Sequence, residues 1–202
     1  MTRIKFCGLT RPGDILAANA LKPEYIGFVF APASRRYLPP EQAAALRQLL
    51  DPDIRAVGVF VDETPETVAG LLNRGVIHLA QLHGREDGAY LRRLRALTRR
   101  PVIQAFRIQS AADLAAAGQS SADFVLLDSG AGTGTRFDWS LLRDFRRPYF
   151  LAGGLTPDNA ARAVAALPPF AVDVSSGIET DGGKDPIKMA AFAAAVRKDA
   201  QV

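Results

Sequence analysis

Short apolar runs of four to seven residues recur along the chain, and between them lie segments whose apolar positions fall at three- and four-residue intervals. The runs predict strands over Arg3–Cys7, Tyr25–Phe30, Arg55–Val61, Val76–Leu82, Pro101–Phe106, Asp123–Asp128, Tyr149–Ala152 and Ala171–Ser175. The segments with helical spacing are also eight in number. Several of their starts carry readable signals, such as Thr64-Pro65-Glu66-Thr67 and Thr156-Pro157-Asp158-Asn159, where a threonine can cap the helix and a proline suits its first turn. Eight alternating units with no composition shift, linker or low-complexity tract predict an α/β fold, a closed (β/α)8 TIM barrel filling residues 1–202 as a single domain. A doubly wound open sheet is the alternative, but the G-x-G-x-x-G of its dinucleotide-binding form is missing after the first run.

Composition narrows the setting. A chain of 202 residues with 48% hydrophobic content can bury one sizeable core. Its single cysteine cannot form an internal disulfide, and Met1 leads into Arg3 and Lys5 with no long apolar stretch behind them, so a reducing cytoplasm is expected. Charges interrupt every alanine-rich segment, which argues against a membrane span. The net charge of +4 raises the question of nucleic acid, chiefly through Arg92, Arg93, Arg95, Arg99 and Arg100. These arginines surround Leu91, Leu94 and Leu97, spaced as the buried stripe of a helix, and no aromatics interleave them to stack on bases. A solvated helix face is the better reading, and no nucleic-acid partner is expected.

On a barrel, chemistry gathers at the C-terminal ends of the strands. The first end is Cys7. Alternation puts Arg3, Lys5 and Cys7 on one face of the strand and Ile4 and Phe6 on the other. If the latter pack on helices, Lys5 and Cys7 face the barrel axis, and the lysine charge is expected to favour the thiolate. A thiol in that position can equally be a small packed hydrophobe. The sixth end is Asp128, closing the run Phe124-Val125-Leu126-Leu127, where partial burial would raise a carboxyl toward the range of a useful acid. It can also be read as the cap of the next loop.

The seventh and eighth ends combine Gly153 and Gly154 with Ser175, Ser176 and Gly177. Together they suggest backbone amides and hydroxyls set out for an anion, in the place where such barrels commonly hold phosphate; the plainer reading is a pair of tight turns. Arg35 and Arg36 follow the second strand, and a guanidinium over the mouth could grip a carboxylate with two parallel hydrogen bonds. Gln81 and His83 close the fourth strand as a polar pocket wall. With two histidines and one cysteine, no metal-ligand set is apparent.

Taken together, the segments IKFCGLT, GFVFAPASRRYL, VGVFVDE, QLHG, LLDS, GTGTRFDW, LAGGLTPDN and AVDVSSGIE resemble the phosphoribosylanthranilate isomerases of tryptophan biosynthesis. The resemblance runs from about residue 3 to 190 in the order of that family. It implies an Amadori rearrangement of a phosphorylated small-molecule substrate without cofactor, with Cys7 as general base and Asp128 as general acid. It also implies Gly154, Ser176 and Gly177 near the phosphate and Arg36 near the anthranilate carboxylate. Two departures stand out: fewer residues than usual between Asp128 and the Gly-Thr-Gly turn, and Phe6 where a smaller aliphatic residue is common, expected to face the helices. The related sugar-phosphate isomerase of histidine biosynthesis would be expected to carry a carboxylate at position 7, and a non-catalytic phosphate-binding barrel is the reading outside enzymes. Alternation further places Lys5 and Asp173 on neighbouring strands of the closed barrel, where they are expected to pair beneath Cys7. Monomer and homodimer remain equally open.

Overall fold

The computed structural model describes residues 1–128 and 139–198. Eight parallel strands form a closed barrel in sequence order: β1 (Arg3–Cys7), β2 (Tyr25–Val29), β3 (Arg55–Phe60), β4 (Leu79–Leu82), β5 (Val102–Arg107), β6 (Phe124–Asp128), β7 (Tyr149–Ala152) and β8 (Ala171–Val174). Around them lie α1 (Pro12–Leu21), α2 (Pro40–Leu49), α3 (Pro65–Asn73), α4 (Gly88–Leu97), α5 (Ala111–Gln119), α6 (Pro157–Ala166) and α7 (Pro186–Arg197). After β8 the chain makes a 3-10 turn (Ser176–Ile178) and a hairpin of β9 (Glu179–Thr180) and β10 (Gly183–Lys184). Asp181 and Gly182 both have positive φ at its tip, the conformation that Asp-Gly supplies in tight hairpins.

The helices begin where side chains can satisfy their free amides. Thr64 accepts from the Thr67 amide, Asp87 from that of Tyr90, and Asp185 from those of Ile187 and Lys188. Proline opens α1, α2, α3, α6 and α7, where its missing N–H costs nothing. Between β6 and β7, where an eighth helix is expected, the described residues hold only a 3-10 turn, Trp139–Leu142. The fourth strand begins at Leu79 rather than at Val76, whose amide is taken by the close of α3. Gly75, at φ 74°, donates to the Leu72 carbonyl and Val76 to that of Leu71, the paired bonds that close a helix through a left-handed glycine.

Alternation along the strands sorts the core. Ile4, Phe6, Ile26 and Phe28 face the helices, and Phe6 meets Phe192 of α7 edge-on at 6.4 Å. Inside the barrel, Tyr25, Val57, Leu79, Ile103, Leu126, Phe150 and Ala171 form an apolar plug, with Phe124 and Phe170 closing its lower end. Above the plug the barrel turns polar: Lys5, Gln81 and Asp173 are all buried. On α4, Leu91 and Leu94 are buried, whereas Leu97, expected in the same stripe, is 40% exposed in the last turn. The arginines of that face are tied to neighbours, Arg93 to Glu66 and Arg95 to Asp123. Among the described residues, no helix is long and apolar enough to cross a membrane.

Candidate active site

The polar layer opens upward into a cavity of about 740 Å³ at the C-terminal ends of the strands. Cys7, Arg36, Gln81, His83, Asp128, Gly153, Gly154, Asp173, Ser175 and Ser176 all line it. Thus the residues singled out at six different strand ends converge on one space. Lys5 is fully buried behind Asp173 and Gln81, which face the cavity from below. Gly177 does not line the cavity; it packs against the Leu155 carbonyl, where no side chain would fit, and so brings the β7 and β8 loops together.

The floor is an ion pair with one further partner. Lys5 Nζ donates to both oxygens of Asp173 at 3.0 Å and to Gln81 Oε1 at 2.9 Å. Residues 5 and 173 are aligned across the β1–β8 seam, which makes the short contact possible. Burial opposes the lysine charge, but Asp173 and Cys7 more than offset it, so the Lys5 pKa stands above its ordinary value.

Cys7 departs from its expected ionisation. Burial pushes the thiol up, Lys5 pulls it down, Asp173 pushes it up further, and the net direction is upward. The lysine is present, as alternation requires, yet the dry site around the sulfur outweighs it. The sulfur owes its room to Gly27 on β2, where a Cβ would stand 2.7 Å from Sγ. No pattern in the sequence points to that glycine until the strands are paired.

Asp128 stands across the mouth on β6, 28% exposed, with Oδ2 3.7 Å from His83 Nε2. The shortened loop that follows it, and the GTGTRFDW segment before Trp139, lie outside the described residues. Arg107, at the end of β5, also lines the mouth; its signal was a lone arginine ending an apolar run, which looks like any strand exit.

Arg36 is engaged differently from expectation. Its Nε donates to Glu179 Oε1 at 2.6 Å and its Nη2 to Oε2 at 2.9 Å, so the two-pronged grip is made with a carboxylate of the protein's own hairpin. Arg35 reaches the same carboxylate at 2.5 Å and Lys184 reaches it at 2.7 Å. Burial disfavours the Glu179 charge, but the bonds from Arg36 and Lys184 overcome this and hold its pKa at about 2. Lys184 also donates to the Ser175 carbonyl at 3.0 Å, which secures the loop after β8. Glu179 and Lys184 were missed in the sequence because a charged residue on either side of Asp-Gly reads as an ordinary exposed turn.

The model of the N-(5'-phosphoribosyl)anthranilate isomerase family matches residues 4–195. The chain belongs to the phosphoribosylanthranilate isomerase family. Among its relatives, the N-(5'-phosphoribosyl)anthranilate isomerase of Endomicrobium trichonymphae is 45% identical over 190 residues, covering 92% of this chain and 93% of the relative. The isomerase of Lacticaseibacillus casei strain BL23 is 42% identical, with 98% of this chain and 96% of the relative covered. The Thermotoga maritima phosphoribosylanthranilate isomerase superposes with a TM-score of 0.90 at 36% identity, over 98% of this chain and 100% of the other. A phosphoribosylanthranilate isomerase solved with reduced 1-(o-carboxyphenylamino)-1-deoxyribulose 5-phosphate superposes at 0.88, with the same identity and coverage. This phosphoribosylanthranilate isomerase family member is therefore an isomerase of tryptophan biosynthesis, on the eight-stranded barrel that its sequence pattern predicts.

Proposed function

We propose that the cavity carries out the Amadori rearrangement of N-(5-phosphoribosyl)anthranilate to 1-(2-carboxyphenylamino)-1-deoxyribulose 5-phosphate, with Asp128 as general acid and Cys7 as general base. The observation that carries this assignment is the placement of the two groups: a thiol on β1 and a carboxyl on β6 line one cavity, three strands apart around the ring, leaving space for a sugar between them. Asp128 gives its proton to the ribose ring oxygen as the C1–O bond breaks, and the anthranilate nitrogen lone pair forms the iminium. Cys7, as thiolate, takes the proton from C2. The electrons of that C–H bond neutralise the iminium and leave an enolamine, which relaxes to the ketone as the enol proton leaves and C1 is protonated.

Cys7 must be ionised at the moment of transfer although burial holds its pKa up. The cationic iminium, formed nearby before the transfer, joins Lys5 in stabilising the thiolate, so the acid step prepares the base step. The loops at Gly153-Gly154 and Ser175-Ser176 receive the phosphate on the β7–β8 side, and Arg36, aimed by Glu179, faces the anthranilate carboxylate. Substrate loss is followed by its fluorescence. Cys7→Ala and Asp128→Ala are each expected to lower kcat by about 10² to 10⁴. Undiminished turnover in either variant would remove that residue from its role, and no turnover by the unaltered protein would favour a binding function.

A further inference from the structure

A second polar path crosses the cavity and links the floor beneath Cys7 to Asp128. Lys5 Nζ donates to Gln81 Oε1 at 2.9 Å, Gln81 Nε2 lies 3.0 Å from His83 Nδ1, and His83 Nε2 lies 3.7 Å from Asp128 Oδ2. An ammonium has no lone pair to offer, so the Gln81 atom facing Lys5 must be the carbonyl oxygen. The other end of the amide is then NH2, a pure donor. His83 Nδ1 must accept from it, and the ring proton is left on Nε2, the nitrogen directed at Asp128. A ring proton on Nδ1 would point at the amide hydrogens, and Gln81 cannot turn over to receive it without presenting its NH2 to the buried ammonium. Lys5 is further held by Asp173, and Gln81 is only 1% exposed, so neither has freedom to rearrange.

We propose that Lys5 and Gln81 fix His83 as its Nε2–H tautomer, so that His83 is a positioning residue that presents an N–H to the Asp128 carboxyl. The inference rests on the reading of Asp128 as the acid. When Asp128 releases its proton to the ring oxygen it becomes a carboxylate, and a donor facing Oδ2 is worth more to that charged form than to the neutral acid. The 3.7 Å gap is longer than a hydrogen bond, and small rotations of these two partly exposed side chains, 38% and 28% accessible, bring the pair within reach. The opposite tautomer would set a bare ring nitrogen against the carboxylate and oppose the proton transfer. A buried cation thus acts on both catalytic groups, on the thiol through its charge and on the carboxyl through the orientation of one amide.

With two histidines in the chain, 15N-histidine labelling of the whole protein gives a spectrum that His83→Gln assigns by loss of one set of signals. The expected result for the unaltered protein is a protonated Nε2 and an unprotonated Nδ1 on His83. In Gln81→Glu, whose carboxylate can accept from both neighbours, Nδ1 is expected to carry a proton. His83→Leu is expected to lower kcat about tenfold to a hundredfold with little change in KM. His83→Gln, whose amide can offer an N–H near the same place, is expected to recover most of that loss. A protonated Nδ1 in the unaltered protein, an unchanged ring in Gln81→Glu, full kcat in His83→Leu, or equal losses in the Leu and Gln variants would each overturn the proposal. Full activity of Asp128→Asn would instead overturn the acid assignment, while leaving the tautomer measurement standing on its own.

Discussion

The Cys7 thiol is held in two opposing environments, and if it serves as the base the pH response follows from which one prevails. Burial raises the Cys7 pKa and Lys5 only partly counters it, so the thiolate fraction grows with pH on the alkaline side of neutrality. Accordingly, kcat/KM is expected to climb between about pH 7 and 9, by up to tenfold per unit, in step with the rate of thiol alkylation. A flat profile over that range would mean that the base ionises elsewhere. Gly27→Ala is expected to cost at least tenfold in kcat at the same pH, because a methyl group 2.7 Å from Sγ forces the sulfur from its place. Steady-state kinetics on the two proteins checks this. At this scale the placement of Cys7 and Asp128 at the cavity was legible because each terminates an apolar run at the C-terminal end of a strand. The direction of the Cys7 shift was not, since it depends on how much water the neighbouring strands exclude.

Single elements show where reading a sequence gains and loses. Strand and helix positions follow from apolar spacing, and Thr64-Pro65 and Thr156-Pro157 do open α3 and α6. Val76 falls in an apolar run that predicts a strand, but its amide closes α3, so a local hydrogen-bond motif takes it out of the sheet. The β9–β10 hairpin is the more consequential omission, for its Glu179 organises Arg35, Arg36 and Lys184. Cross-element partners of this kind have no signature in a local window. The Glu179 pKa of about 2 lies below the value near 4.3 expected in the unfolded chain, so its stabilisation is present above about pH 4.3 and is lost as pH falls toward 2. Glu179→Gln is therefore expected to be less stable than the unaltered protein at pH 7, with the gap narrowing between about pH 4 and 2 in urea titrations. A gap independent of pH would show that the charge of Glu179 contributes little.

The molecule as a whole depends on the seam where the first and last strands of the barrel meet. Lys5 and Asp173 are 168 residues apart in sequence and bonded inside the closed barrel. Lys5→Met leaves Asp173 buried without its partner and is expected to lower stability by about 3–5 kcal/mol in urea unfolding. Adding Asp173→Leu is expected to restore part of that loss, because no lone charge then remains; a double variant weaker than Lys5→Met would contradict the pairing argument. The outer layer repeats the closure, for Arg197 at the end of α7 donates to the carbonyls of Leu21 and Lys22 at the C-terminal end of α1. Contacts of such long separation are slow to form, since the entropy of the intervening loop is lost before they contribute. On the ribosome, the consequence is one of timing. Asp173, which anchors Lys5, and Ser175, which donates to the Cys7 carbonyl, each lie 168 residues beyond their partners, so a growing chain holds an uncovered thiol until β8 arrives to close the ring.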